Sequence, residues 1–158
     1  MTTILIILHV LAAVLFIGPT TVVVSTFPAR ALKARAGDAG AADTARTMYN
    51  ITTTYGMMSI LVPLLGVAIM FTDSAYWTMG RFHAAIALAV IAWLVLLVGI
   101  LPRQRKMMGA LGLLEEDEFD PAKDVVADWE KAKSLLTALA GVFALLWVIM
   151  LVLMYLNF

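Results

Sequence analysis

The chain holds two histidines, His9 and His83, and no cysteine. Each lies near the start of a long apolar run, His9 five residues after Ile4 and His83 two residues after Arg81. An ionisable side chain inside such a run costs free energy unless it is paired, so it points to a functional site. Two imidazoles at matched depth can share one group. One candidate is haem b, with His9 and His83 as neutral axial ligands and the Arg81 guanidinium paired to a propionate. Ala12 and Ala13 after His9, and Ala87 after His83, thin both helices where a porphyrin would descend. A second candidate is copper(I), for which Met70 and Met79 would add thioether sulfurs to the two imidazoles. A third arrangement has no cofactor, and the histidines form a hydrogen-bonded or proton-relaying pair. The lack of cysteine removes disulfides, iron–sulfur clusters and thiolate zinc sites.

The elements that must carry these residues follow from composition. The 158 residues are 63% hydrophobic and their mean hydropathy is +0.95, whereas soluble domains are about half apolar. A bilayer span needs about 20 mostly apolar residues, and four windows supply them: about 4–26, 48–71, 80–101 and 135–156. Backbone groups must be satisfied within lipid, and these runs are too long and unbroken for barrel strands. The expected fold is all-α, a four-transmembrane-helix bundle forming one integral membrane domain.

Orientation follows from the basic residues. Ten of the eleven Lys and Arg side chains lie in the connections Pro28 to Thr47 and Pro102 to Lys133, leaving Arg81 alone on the other side. The positive-inside rule makes those two connections cytoplasmic and both termini extracytoplasmic. The spans carrying His9 and His83 then run in the same direction, with both imidazoles within about two turns of the outer surface at 1.5 Å per residue.

Along the chain, Gly18-Pro19 predicts a kink in the first span, with Thr20, Thr21, Ser25 and Thr26 available to the carbonyls it loosens. The second span enters as MYNITTTYGMMS, so Asn50, Thr52, Thr53, Thr54, Tyr55 and Ser59 make its inner half polar before Pro63 bends it. These two segments either line a polar cleft or bond to one another as ordinary helix contacts. Tyr76 and Trp77 fall where an aromatic belt would anchor the outer turn. Arg103 to Lys106 form a basic cluster suited to anionic headgroups. The run Glu115 to Asp120, EEDEFD, is a solvated loop or a dock for a basic partner. Asp120-Pro121 reads as a helix start. Ala122, Val125, Val126, Trp129 and Ala132 then give an amphipathic segment over 121–134, a cytoplasmic helical extension.

Several classes are excluded or disfavoured. Eleven acids balance eleven bases, so no single-sign field recruits nucleic acid. Phosphate loops and nucleophile elbows are absent from the sequence. A hydrolase lacks its serine and acid beside a histidine, and a proton-coupled transporter would want a carboxylate deep in a span. The first run has no basic residue before Arg30 and no small-residue cleavage pattern, so it is expected to be a retained helix.

The segment LHVLAAVLFIGPTT, residues 8–21, resembles the first-helix pattern of an uncharacterised bacterial four-helix integral membrane protein family related to copper-resistance D-type proteins. It has a looser likeness to the HemJ-type protoporphyrinogen oxidases. The resemblance implies four helices, a bacterial plasma membrane, and His9 and Gly18 as the matching positions. After the glycine the chain has Thr20 to Thr26 where the HemJ-type pattern continues with aromatic and basic residues. Two functions are therefore expected: a small haem-b-carrying redox protein, or a non-catalytic accessory or scaffold subunit, with copper handling as a further alternative. The bilayer is the first partner, and a chain this small is expected to form a homo-oligomer or join a larger membrane complex.

Overall fold

The computed structural model describes residues 1–155. Among them the chain is all-helical, with four helices long and apolar enough to cross a membrane. These are α1 (Thr2–Arg35), α2 (Ala39–Met70), α3 (Gly80–Ala110) and α4 (Trp129–Tyr155). α1, α3 and α4 run beyond the windows that hydropathy alone marked out, while α2 begins ahead of its window at Ala39 and ends at Met70, just short of the expected residue 71; residue 156 of the expected fourth span lies outside the described residues. The helices alternate in direction. One end of the bundle carries Thr2, Tyr155 and the 71–79 turn, and the other carries the 36–38 and 111–128 connections.

Prolines break three of the four helices, each in its own way. A proline has no N–H and its ring crowds the carbonyl four residues back. In α1, the backbone ahead of Pro19 widens into a π-helical turn at Ala13–Ile17. The Thr20 and Thr21 hydroxyls donate to the Phe16 and Ile17 carbonyls at 2.7 and 2.8 Å, as the sequence led us to expect. In α3, a second π-helical turn at Val95–Ile100 precedes Pro102. In α2 the helix stops at Met58 and resumes at Leu61, so Pro63 sits in the first turn of the second piece. The freed Ser59 carbonyl takes the Val62 N–H at 3.0 Å.

These breaks stand at one level. A side chain added at Gly56 would meet Leu96 Cδ2 at 3.0 Å and Thr20 Cγ2 at 3.7 Å. Gly56 of α2 thus packs directly on the π turn of α3 and on the residue that follows Pro19 in α1. The Trp93 indole N–H donates to the Ser59 hydroxyl at 3.1 Å and ties the α2 break to α3.

Toward the loop end all four helices share one core. Val24, Phe27 and Ala31 of α1, Ala45 of α2, Ile100, Met107 and Met108 of α3, and Trp129, Leu136 and Phe143 of α4 are all buried in it. Arg35 lies over the Trp129 ring at 5.2 Å, joining the end of α1 to the start of α4. Toward the termini the packing is in pairs. Thr2–Ala12 rests on Leu61–Met70 of α2, and Ala85 and Ala89 of α3 pack on Met150 of α4.

The connections at the loop end are fixed by local chemistry. Gly37 and Gly112 end α1 and α3 at φ +95° and +66°, a conformation that glycine adopts without a Cβ penalty. Asp38 caps α2 by accepting from the Ala41 amide at 2.9 Å. The segment expected to start a helix at Asp120-Pro121 does not: residues 121–123 form a turn, 124–128 are irregular, and helix begins at Trp129. Asp128 is the residue that caps α4, accepting from the Lys131 amide at 2.9 Å.

Candidate functional site

His9 is half-buried on α1, and its Nδ1 donates to the Val62 carbonyl of α2 at 2.9 Å. A carbonyl can only accept, so Nδ1 carries a proton, and in the neutral imidazole the lone pair is then on Nε2. Gly66 makes the approach available. A Cβ there would stand 3.3 Å from His9 Cε1 and 3.6 Å from Nδ1. Val62 and Gly66 are functional neighbours that sequence reasoning missed; Pro63 was the only local sign that the backbone there would face a partner.

His83 is exposed near the start of α3. Its Nδ1 lies 3.4 Å from the Met79 carbonyl, and its ring meets Trp77 edge-on with centroids 6.0 Å apart. Met79 presents its sulfur to Arg81 Nη2 at 3.5 Å, and the Arg81 guanidinium also covers the Phe82 ring at 5.1 Å. A positive group already adjoins that thioether, which opposes a second cation there. Met70, at the end of α2, is buried. Of the five residues singled out from the sequence, His9 lies against the bend of α2, Met79, Arg81 and His83 gather around the end of the 71–79 turn, and Met70 is buried at the end of α2. Among the described residues no hydrogen bond or ring contact joins the two imidazoles, and no group of three or more His, Asp or Glu side chains is placed to hold a metal ion.

The hydroxyls of the polar segments close onto their own helices. Thr52 donates to Met48, Thr53 to Asn50 and Ser59 to Gly56, at 2.9, 2.9 and 2.6 Å. Thr20 and Thr52 are fully buried. Among the described residues, hydrogen bonding between the two segments is confined to the Thr26 hydroxyl, which donates to the Met48 sulfur at 3.6 Å; the other hydroxyls named here satisfy the backbone of their own helices.

A second cluster lies at the loop end. Asp124 is buried and pairs with Arg105 Nη1 at 3.1 Å, while its other oxygen accepts from the Asp120 amide at 2.9 Å. Its carboxylate packs directly on Gly109 of α3, where any Cβ would collide with it. Arg105 also donates to the Glu118 carbonyl. Outside the bundle, the Lys123 ammonium at 2.8 Å and the Ala122 amide hold the Asp120 carboxyl below the usual carboxylate range. Arg105 and Gly109 thus fasten the 111–128 connection to α3, with Glu115 to Glu118, Phe119 and Val125 left exposed.

The geometry defines an all-helical bundle of membrane-spanning character. Comparison of the chain with family models, curated proteins and solved structures finds no match.

Proposed function

We propose that the chain is a four-span protein of a bacterial plasma membrane, with both termini outside, that serves as a non-catalytic accessory or scaffold subunit of a larger membrane assembly. The observation that carries this reading is the bond from His9 to Val62, which gives the intramembrane histidine a structural task at the Pro63 bend. Hydroxyls of α1 and α2 and the Trp93 indole have similar tasks. The basic residues at the loop end support a cytoplasmic placement of that end. There the fastened 111–128 connection presents Phe119, 45% exposed, and Val125, 58% exposed, beside four consecutive acids. On a water-facing surface, apolar groups set among acids suit a protein partner with basic and apolar contacts.

A second reading has one observation in its favour. Both imidazoles direct Nδ1 at a backbone carbonyl, the state in which histidine ligates iron or copper through Nε2. His9 and His83 would be the residues to hold a haem b, which would supply one-electron transfer. The two histidines nonetheless contact different elements.

Absorbance of protein purified in mild detergent from its own membrane, oxidised and dithionite-reduced, with copper quantified in the same sample, separates the two. The accessory reading predicts a colourless, metal-free sample that co-purifies with a partner. A reduced b-type band near one per chain, lost in His9→Ala, would overturn it.

A further inference from the structure

Arg103 stands in an unusual place for a guanidinium. Its Nη1 donates to the Gly99 carbonyl at 2.7 Å and to the Val98 carbonyl at 3.3 Å. Val98 is the carbonyl that Pro102 deprives of its helical donor, so Arg103 supplies what the proline removed. Helical side chains lean toward the N-terminus of their own helix. The charge therefore sits beside Val98, which is 68% exposed on the outer surface of the bundle. About twenty residues from Gly80 bring α3 to this level, so the guanidinium lies where hydrocarbon gives way to headgroups.

The remaining N–H groups of Arg103 have no hydrogen-bond partner among the described residues, and no carboxylate pairs with the side chain. Lys106 is exposed one turn further along the same face and is likewise outside the ion pairs. A guanidinium bordered by apolar surface needs an anionic oxygen, and a tetrahedral phosphate matches its fork. We propose that Arg103 and Lys106 bind the phosphate of an anionic phospholipid, Arg103 being pre-set by the carbonyls that Pro102 leaves open. With two cations and no acid on the face, a headgroup that carries its own ammonium is disfavoured.

The test uses the full chain, exchanged into detergent with equal phosphatidylglycerol and phosphatidylcholine, and counts retained lipids by native mass spectrometry. The wild type should keep phosphatidylglycerol in preference. Lys106→Gln and Arg103→Gln should each weaken retention about five-fold, and the double variant should lose the preference. Lys106→Gln leaves the Arg103 bonds intact, so it decides the matter even if Arg103→Gln loosens α3. Equal retention of both lipids by the wild type, or an unchanged preference in Lys106→Gln, overturns the proposal. Displacement of the retained lipid by soluble glycerol phosphate at matched concentration would also overturn it, by making free phosphate the ligand.

Discussion

At the residue scale, His9 is a pin between two helices. Its Nδ1 bond to Val62 is made where water does not compete, yet the unfolded chain in the membrane also finds partners, so such bonds are worth only about 0.6 to 2 kcal/mol. His9→Ala should therefore lower stability in detergent by that modest amount, read from the unfolding equilibrium. A loss above about 4 kcal/mol would exceed what such a bond supplies and show that His9 holds something more than a carbonyl. Gly66→Ala should have a smaller effect of the same sign, because its Cβ would stand 3.3 Å from His9 Cε1 and make the imidazole give way. The identity of His9 as a residue with a task was legible in the sequence, since a histidine in an apolar run stands out. Its partner was not. A backbone carbonyl has no signature in residue type, and His9 reaches that of Val62 across Gly66, which has no side chain in the way.

At the element scale, the breaks at Pro19 and Pro63 were legible, whereas the π-helical turn ahead of Pro102 and the 111–128 connection were not. Gly18-Pro19 and Pro63 announce themselves, because no proline can complete an interior helical turn. Asp120-Pro121 is an equally good local helix start, but Asp124, four residues on, is drawn into the ion pair with Arg105 against Gly109. That contact lies nineteen positions away in sequence, beyond the reach of periodicity. Two predictions belong here. A π-helical turn is an α-helix with one extra residue, so deleting Val98 together with Pro102→Ala should convert Val95–Ile100 to α-helix and keep Met107 and Met108 facing the core. Deleting Ile91 instead rotates everything beyond it by about 100°. Unfolding midpoints should be close to wild type for the first and far below it for the second. The other prediction concerns acid. Asp120 has its pKa lowered first by the Lys123 hydrogen bond, so its contribution is complete above its unfolded value of about 3.9 and disappears as pH falls through the lower folded value. The Ala122 amide resonance should therefore titrate below that unfolded value in the wild type. A midpoint at or above it would show that the turn does not hold in solution.

At the scale of the whole molecule, the four spans were the most legible feature, because lipid demands long apolar runs and little else produces them. Which spans pair was hidden, since in lipid one apolar face serves as well as another and shape decides. The absence of native cysteine makes the orientation simple to test. In intact cells, Ser74→Cys should react with a membrane-impermeant maleimide and Ala36→Cys should not. The reverse pattern would place the basic connections outside and remove the basis for a cytoplasmic partner at Phe119 and Val125.

The clasp of Arg35 on Trp129 sets a schedule for the nascent chain. The buried face of α1, with Phe27 and Ala31, is completed by Trp129, Leu136 and Phe143 of α4, which the ribosome adds about a hundred residues later, a long wait for a contact of such high sequence separation. Until then the first helix sits in the membrane with part of its inner face uncovered, held by α2 and, once it is made, by α3. A chain truncated before Trp129 should therefore be the form that membrane quality control recognises and removes.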